Sequence, residues 1–301
     1  MTLRHFDIAI IGSGIAGGAL AVALKDSGLS VLLLDRRAGP LDTSRGDHIQ
    51  PAMQPVLSRW GVLDRLVEAG AEQRAGTRWF DAEGAHIVTV PVPQRDDCAG
   101  AFLFLNHEKI GDILLATAEE AGVVNITGVS DWSLTRVAEN WRVDWQADNQ
   151  SASATCTLLV AADGTASTVR SRLKIGLDRH RYQYPIAVLY GRQQGVSHER
   201  TLDVYLAEER MVSLIPRTGG ATKVGFPVSS EDISFWKTGS EEALLRRLAE
   251  WCPGIEFESL AFGAIYPPVS QQSEPYRGEG ALVLAVSYTH LTLPTMDRCG
   301  S

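Results

Sequence analysis

A chain of 301 residues with 45% hydrophobic and 21% charged residues is long enough to bury one large core or two modest ones. Its formal net charge of −8, with no basic stripe, argues against nucleic acid or an anionic membrane as partner, and no run of about 18 apolar residues offers an integral membrane span. The four cysteines, Cys98, Cys156, Cys252 and Cys299, show neither C-x-x-C nor metal-ligand spacing, which points to reduced thiols in a cytoplasmic protein without a disulfide framework or a metal site.

In chain order, an apolar run at residues 8–11 breaks at Gly12-Ser13-Gly14-Ile15-Ala16-Gly17-Gly18. The chain continues as a small-residue helix to about residue 26, then re-enters an apolar run at residues 31–34 that ends on Asp35. That is a strand, a glycine turn, a helix and a parallel strand in one βαβ unit, the context that gives a bare G-x-G-x-x-G its meaning. Gly12 permits the tight turn, Gly14 lets the backbone approach a pyrophosphate, and Gly17 lets the helix pack closely on the sheet. The helix N-terminus around Ile15 and Ala16 supplies amide donors and a positive dipole. A carboxylate at Asp35, followed by Arg36, accepts from a free ribose hydroxyl and repels a 2′-phosphate, so FAD or NAD suits the turn and NADP does not. A secretory signal peptide is excluded, because Asp7 heads the stretch and the glycines fall where a phosphate turn needs them.

After a polar segment at residues 38–47, apolar positions recur at helical spacing over residues 51–69, interrupted at Gly61, so one broken helix or two short ones are expected. Residues 77–92 change period and predict a β-hairpin turning at residues 81–84. A helix over residues 107–121 ends at Gly122, a natural C′ residue. Strands follow near residues 123–129, 133–138, 141–146 and 155–160. From residue 184 the pattern becomes antiparallel, with strands near 186–190, 202–206, 211–215 and 223–228, a helix at 241–251 and a strand near 262–266. The expected fold is α/β: a doubly wound, Rossmann-like nucleotide-binding domain (residues 1–75, 102–179 and 271–285) carrying an inserted, mainly antiparallel β substrate domain (residues 76–101 and 180–270). A cleft between the two is the default place for a substrate.

The second informative stretch is residues 158–173, LLVAADGTASTVRSRL. A buried strand ending in Ala-Ala-Asp163-Gly164, with Ser167, Val169 and Arg170 opening a helix, places a carboxylate and a glycine at the sheet's C-terminal edge. Spacing alone leaves two roles open for Asp163, a helix cap or a ligand contact. Together, Gly12-x-Gly14-x-x-Gly17 and Asp163-Gly164-x-x-Ser167-x-Val169-Arg170 resemble the phosphate turn and the D-G-x-x-S-x-V-R motif of the FAD-dependent flavoprotein monooxygenases, the group of the aromatic and ubiquinone-pathway hydroxylases.

The resemblance implies FAD held by Gly12, Ser13, Gly14, Ile15, Ala16, Gly17, Asp35 and Arg36, with Asp163 and Gly164 contacting it from the second motif and Arg170 a further candidate. Arg45 stands where the family has an arginine on the flavin side. His107 opens a helix where the family more often has Arg or Gln against FAD. His48 is either near the flavin ring or an ordinary loop histidine. Tyr182, Tyr184 and Tyr190 either line the substrate cleft or pack in the β domain, while Trp79, Trp132, Trp141, Trp145 and Trp236 read as core or sheet-surface aromatics.

The activity the resemblance implies is NAD(P)H- and oxygen-dependent hydroxylation or epoxidation of a small organic substrate, aromatic or not, through a flavin hydroperoxide. NAD(P)H acts as a transient co-substrate, and no side chain is named as catalytic. NADH and NADPH remain equally open. A flavin-dependent reductase, a halogenase on the same scaffold, and a non-catalytic flavin-binding fragment are the alternative readings. In the family the strand at residues 280–285 leads into a G-D motif and a further helix; here the chain reads Val286-Ser287-Tyr288-Thr289-His290-Leu291-Thr292-Leu293-Pro294-Thr295. That run looks like translated sequencing-adapter DNA, so residues 286–301 are expected to be a foreign tail on a C-terminally truncated member.

Overall fold

A computed structural model of the chain describes residues 3–39, 41, 48–93, 99–194, 201–207 and 210–284. Arg45 and the tail at 286–301 therefore lie outside the described residues. Contacts divide the described residues into two compact units, one drawn from Met1–Gly39, Ala121–Leu177 and Ser273–Ser301, the other from Pro40–Glu120 and Asp178–Gln272.

The first unit is built on a mostly parallel sheet. Its central strand β1 (Arg4–Ile11) pairs in parallel with Gln150–Ala161 on one side and with β2 (Val31–Leu34) on the other. Val124–Ile126 extends the sheet beyond β2, and Ala281–Val283 extends it beyond Gln150–Ala161, both in parallel. All four residues of β2 are buried, as expected of a parallel strand covered on both faces. Helix α1 (Ile15–Ala23) connects β1 to β2. It stops short of the expected residue 26 because Lys25 and Ser27 donate to Val22 O and Leu24 O, tightening the last turn, and the Ser27 hydroxyl takes the Leu24 carbonyl at 2.6 Å. The strand Gln150–Ala161 does double duty. Its end half runs beside β1, while its beginning pairs antiparallel with Asn140–Ala147, itself the second arm of a hairpin with Ser130–Val137. Ala9, Leu32 and Leu159 form the centre of the core, with Val143 and Trp145 covering it from the hairpin.

The second unit contains a seven-stranded sheet in the order Phe257–Tyr266, Ile186–Gln193, Ala221–Pro227, Arg210–Pro216, Thr201–Ala207, Gly76–Phe80, His86–Pro91. The strands are antiparallel except where Thr201–Ala207 runs parallel to Gly76–Phe80. The hairpin expected from residues 77–92 is thus present as part of this sheet. Helix Glu241–Trp251 buries Leu244, Leu248 and Trp251, one stripe at i, i+4 and i+7. Ser240 caps it by accepting from the Ala243 amide at 3.3 Å. Ile233–Thr238, a helix the sequence pattern did not announce, delivers Trp236 against Phe226 and Trp251 with ring centroids 4.5 and 5.1 Å apart. Burying Trp236 and Phe226 this fully is worth several kcal/mol at about 25 cal/mol per Å².

The broken helix over residues 51–69 resolves into Gln54–Arg59 and Leu63–Glu68, separated at Gly61, whose φ is +70°. The described residues among 41–75 and 102–120, expected in the nucleotide-binding domain, group by contact with the second unit. Arg65 in Leu63–Glu68 donates to the Thr117 hydroxyl and pairs with Glu120, both on helix His107–Glu120. That helix is in turn tied to the sheet by Arg217–Glu108 at 3.5 Å and by the Thr218 hydroxyl donating to Asn106 at 3.2 Å.

Candidate cofactor site

The site lies at the carboxyl ends of β1, β2 and Gln150–Ala161, three neighbouring parallel strands of the first unit. Its glycines divide into two kinds. Gly12 has φ +110°, and a Cβ there would stand 2.3 Å from the Ala162 carbonyl oxygen and 2.8 Å from the Asp163 amide nitrogen. A Cβ on Gly17 would stand 1.8 Å from the Gly12 carbonyl oxygen. These two positions are closed by the backbone itself. Gly14 and Gly164 are the opposite case: around each, nothing lies within 4 Å of the place a Cβ would take. Gly14 is the N-cap of α1, with no side chain capping the helix and no acidic residue in its first turn. The leading amides of Ile15, Ala16 and Gly17 are therefore left for a partner outside the helix, and the dipole favours an anion there.

Asp35, at the end of β2, is held in place by its neighbours. One carboxylate oxygen accepts from the Ser13 amide at 2.7 Å and the Ser13 hydroxyl at 3.0 Å. The other accepts from the Arg37 amide at 2.7 Å. A carboxylate has about four acceptor positions, so a ribose hydroxyl has room to join, or to replace the rotatable Ser13 hydroxyl. Arg37, not Arg36, accompanies Asp35, its guanidinium 3.6 Å from the carboxylate, while Arg36 is exposed.

The second motif touches the first through Gly12 and Ala162–Asp163. Of the two roles that its spacing left open, Asp163 fills the helix cap with one oxygen and keeps the other oxygen for a partner outside the loop. One oxygen accepts from the Thr168 amide at 2.7 Å, the Thr168 hydroxyl at 3.1 Å and the Val169 amide at 3.1 Å, ordering the start of Thr168–Arg172. Its other oxygen, Oδ1, is buried without a hydrogen-bond partner. Such an acceptor costs about 1–3 kcal/mol when left unmet, and a cofactor hydroxyl or amide would meet it. Gly164, with φ +85°, turns the chain next to it. Arg170 is 8% exposed, and its guanidinium donates to the Thr165 carbonyl at 3.2 Å, so it braces the loop from within. Ser167 completes the motif as N-cap, accepting from the Arg170 amide at 3.0 Å.

Gly12 to Gly17, Asp35, Asp163 and Gly164 are thus brought together in one unit. His107 begins a helix of the second unit. His48 belongs to that unit too, stacked on Phe104 with centroids 5.4 Å apart and edge-on to Phe102. The role of Ser13 as the clamp on Asp35 was not drawn from the sequence, and neither was that of Arg37. The only available signal was a hydroxyl in the glycine turn.

These features fit the adenosine and pyrophosphate parts of FAD: an uncapped helix start with open space at Gly14, a fixed ribose acceptor, and a buried acceptor lacking its donor. Residues 5–243 match the family model described as FAD binding domain. Ubiquinone hydroxylase UbiM of Neisseria meningitidis is 24% identical over 299 residues, covering 93% of this chain and 62% of that protein. The 3-amino-4-hydroxybenzoate 2-monooxygenase of Streptomyces cremeus is 26% identical over 234 residues, covering 74% and 56%. The chain therefore spans about 62% and 56% of the lengths of these two relatives. Among solved structures, p-nitrophenol 4-monooxygenase PnpA of Pseudomonas putida superposes with a TM-score of 0.79 at 14% identity, covering 93% of this chain and 72% of the other. The match to the family model runs over well more than half of the sequence, and the chain belongs to the family of FAD binding domains.

Proposed function

We propose that this chain is part of an FAD-dependent monooxygenase that uses NAD(P)H and oxygen to hydroxylate or epoxidise a small organic substrate. The observation that carries the reading is the pairing of the uncapped, open Gly14 turn with the D-G-x-x-S-x-V-R loop whose Asp163 keeps one buried oxygen without a donor. The relatives support it, being named as a ubiquinone hydroxylase and an aminohydroxybenzoate monooxygenase.

When bound, FAD supplies the redox chemistry, accepting electrons from NAD(P)H and passing them to oxygen. The protein's own task is to hold and orient. The amides of Ile15, Ala16 and Gly17 hold the pyrophosphate. Asp35, braced by Ser13 and Arg37, holds the ribose, and Asp163 Oδ1 accepts from a hydroxyl further along the cofactor. Arg45 and His107 are the further contacts that the resemblance to the flavoprotein monooxygenases suggests. A cytoplasmic location belongs to the same proposal, supported by two free, buried thiols, Cys156 and Cys252, and by the absence among the described residues of any helix long and apolar enough to cross a membrane.

The test is to purify the chain with FAD, record its visible absorbance, and follow NAD(P)H oxidation under labelled oxygen with candidate phenolic substrates. The expected outcome is a yellow protein that places one labelled oxygen atom in product. A colourless chain that takes up no FAD sinks the reading. Substrate saturation at the expense of NAD(P)H, with no oxygen incorporated, replaces it with a reductase.

A further inference from the structure

Helix His107–Glu120 is met at each end by an arginine from another element, and the two ends differ in kind. At its last turn Arg65 donates to the Thr117 hydroxyl at 3.0 Å and pairs with Glu120. A helix presents its carbonyls and the negative end of its dipole there, so a cation at that place stabilises the fold. At its first turn the cation is Arg217, 3.5 Å from Glu108, with the two side chains 11% and 23% exposed. The positive end of the dipole disfavours a guanidinium here, and Glu108 makes it tolerable. Taking two such charges out of water offsets much of their attraction, so the pair adds little stability of its own.

What the pair supplies is position. Arg217 and Thr218 lead into the turn between strands Arg210–Pro216 and Ala221–Pro227, where Gly219 and Gly220 have φ +81° and +76°. The Arg217 amide closes this turn by donating to the Ala221 carbonyl at 2.8 Å. Both strands are paired on each side within the seven-stranded sheet, which makes the turn a firm base. From it the Arg217 guanidinium reaches Glu108 and lies 5.1 Å over the ring of Tyr190. The Thr218 hydroxyl donates to Asn106 Oδ1 at 3.2 Å, and the Asn106 carbonyl accepts the Ile110 amide at 3.2 Å as the helix begins. Asn106 and Glu108 flank His107 in the sequence, so one turn fixes the helix start on both sides of that histidine. All of these residues belong to the second unit.

We propose that Arg217 is a positioning residue for the part of FAD beyond its pyrophosphate: through Glu108, and with Thr218 acting on Asn106, it holds His107 where the cofactor meets it. Arg217 itself touches no cofactor in this assignment. Arg65, at the other end of the same helix, serves stability alone. The assignment rests on the monooxygenase reading, in which His107 is a cofactor contact, and adds the device that sets its place.

The experiment is calorimetric titration of the cofactor-free chain with FAD and with ADP, which carries only the adenosine and pyrophosphate parts. Wild type, Arg217→Ala, Thr218→Val and Arg65→Ala are compared, with Tm measured on each. Arg217→Ala weakens FAD by about 3- to 10-fold and leaves ADP within about twofold. Thr218→Val removes no charge and shifts FAD against ADP in the same direction, which keeps the test open if Arg217→Ala does not fold. Arg65→Ala lowers Tm and leaves the ratio of FAD to ADP affinity as in wild type. In a Glu108→Gln background the Arg217→Ala change has little further effect on that ratio, since the two act as one unit. An unchanged ratio in Arg217→Ala or in Thr218→Val overturns the proposal, and so does the same shift in Arg65→Ala, which would mark the effect as general loosening of the helix. Wild type that binds ADP but not FAD sinks the monooxygenase reading and this assignment with it, whereas FAD binding with an unchanged ratio sinks this assignment alone.

Discussion

Ser13 grips Asp35 twice, its amide and its hydroxyl both donating to one carboxylate oxygen at 2.7 and 3.0 Å. The amide bond fixes the glycine turn to the end of β2, whereas the hydroxyl bond occupies an acceptor position that a ribose could use. The two residues should therefore respond differently to truncation. Ser13→Ala keeps the amide contact and leaves FAD affinity within about threefold. Asp35→Ala strands a buried amide as well as removing the ribose acceptor, and should weaken FAD by at least about tenfold, equivalent to 1.4 kcal/mol. Flavin fluorescence titration of the two variants checks this ordering, and equal affinities would contradict it.

Gly17 and Gly14 separate folding from binding. Gly17→Ala forces a methyl group into the Gly12 carbonyl, 1.8 Å away, so the helix must move off the sheet. A loss of about 1–3 kcal/mol is expected from such overpacking, visible as a lower Tm without any cofactor present. Gly14→Ala places its methyl in open space at a backbone conformation of φ −67° and ψ −173° that any residue adopts. The cofactor-free protein should melt within about 2 °C of wild type, while its FAD affinity falls. If both variants melt alike and bind alike, the two glycines have the same role and the division fails.

The βαβ unit was legible because three signals coincide there: an apolar run, glycines at fixed spacing, and an acidic residue closing the second strand. Helix Glu241–Trp251 was equally legible, since its buried stripe and its Ser240 cap are both local. Ile233–Thr238 escaped notice because it is six residues long and is held by Trp236 packing under distant strands, a tertiary effect with no local period. The same reason hid the short three-stranded sheet of His48–Ile49, Phe102–Phe104 and Glu72–Arg74, whose pairing joins segments far apart in sequence. At the site, residue types were readable while hydrogen-bond partners were not. The turn chemistry announces an acceptor at Asp35, but whether Arg36 or Arg37 attends it depends on how the chain bends after the strand.

Asp163 combines a helix cap with an unmet acceptor, which makes its variants informative. Asp163→Ala removes three accepted hydrogen bonds at the start of Thr168–Arg172 and should destabilise the protein by about 0.5–2 kcal/mol. Asp163→Asn retains an oxygen for the cap but replaces the other oxygen, the buried one without a partner, with an amide that can only donate. It should recover most of the lost stability in urea unfolding while FAD affinity stays depressed by about tenfold. Full recovery of FAD binding by the Asn variant would show that Asp163 acts only as a cap.

Alkaline pH should unfold the protein through groups remote from the site. Burial pushes the Cys156 thiol up to about 11 and the Cys252 thiol up to about 12, from 9.0. Burial, reinforced by nearby Cys252 and Asp203, likewise pushes the Tyr205 hydroxyl from 10.0 up to about 12. The folded-state values lie above the unfolded ones, so the protonated groups stabilise the fold fully below pH about 9 and progressively less as pH rises toward 12. Each group ionised in the unfolded chain but not in the folded one lowers the unfolding free energy by about 1.4 kcal/mol per pH unit. Urea midpoints measured at pH 8, 9, 10 and 10.5 should be level at first and then fall with increasing slope. Cys252→Ala starts from lower stability, because it leaves a small cavity beside Trp251, yet its midpoint should fall less steeply above pH 9. At pH 7.5 neither thiol should be alkylated by iodoacetamide in the native protein, as peptide mapping would show, and both should react once the chain is unfolded in urea. A wild-type midpoint that stays level through pH 10.5, or ready labelling of Cys252 in the native state, would mean that the thiol is not buried beneath the helix.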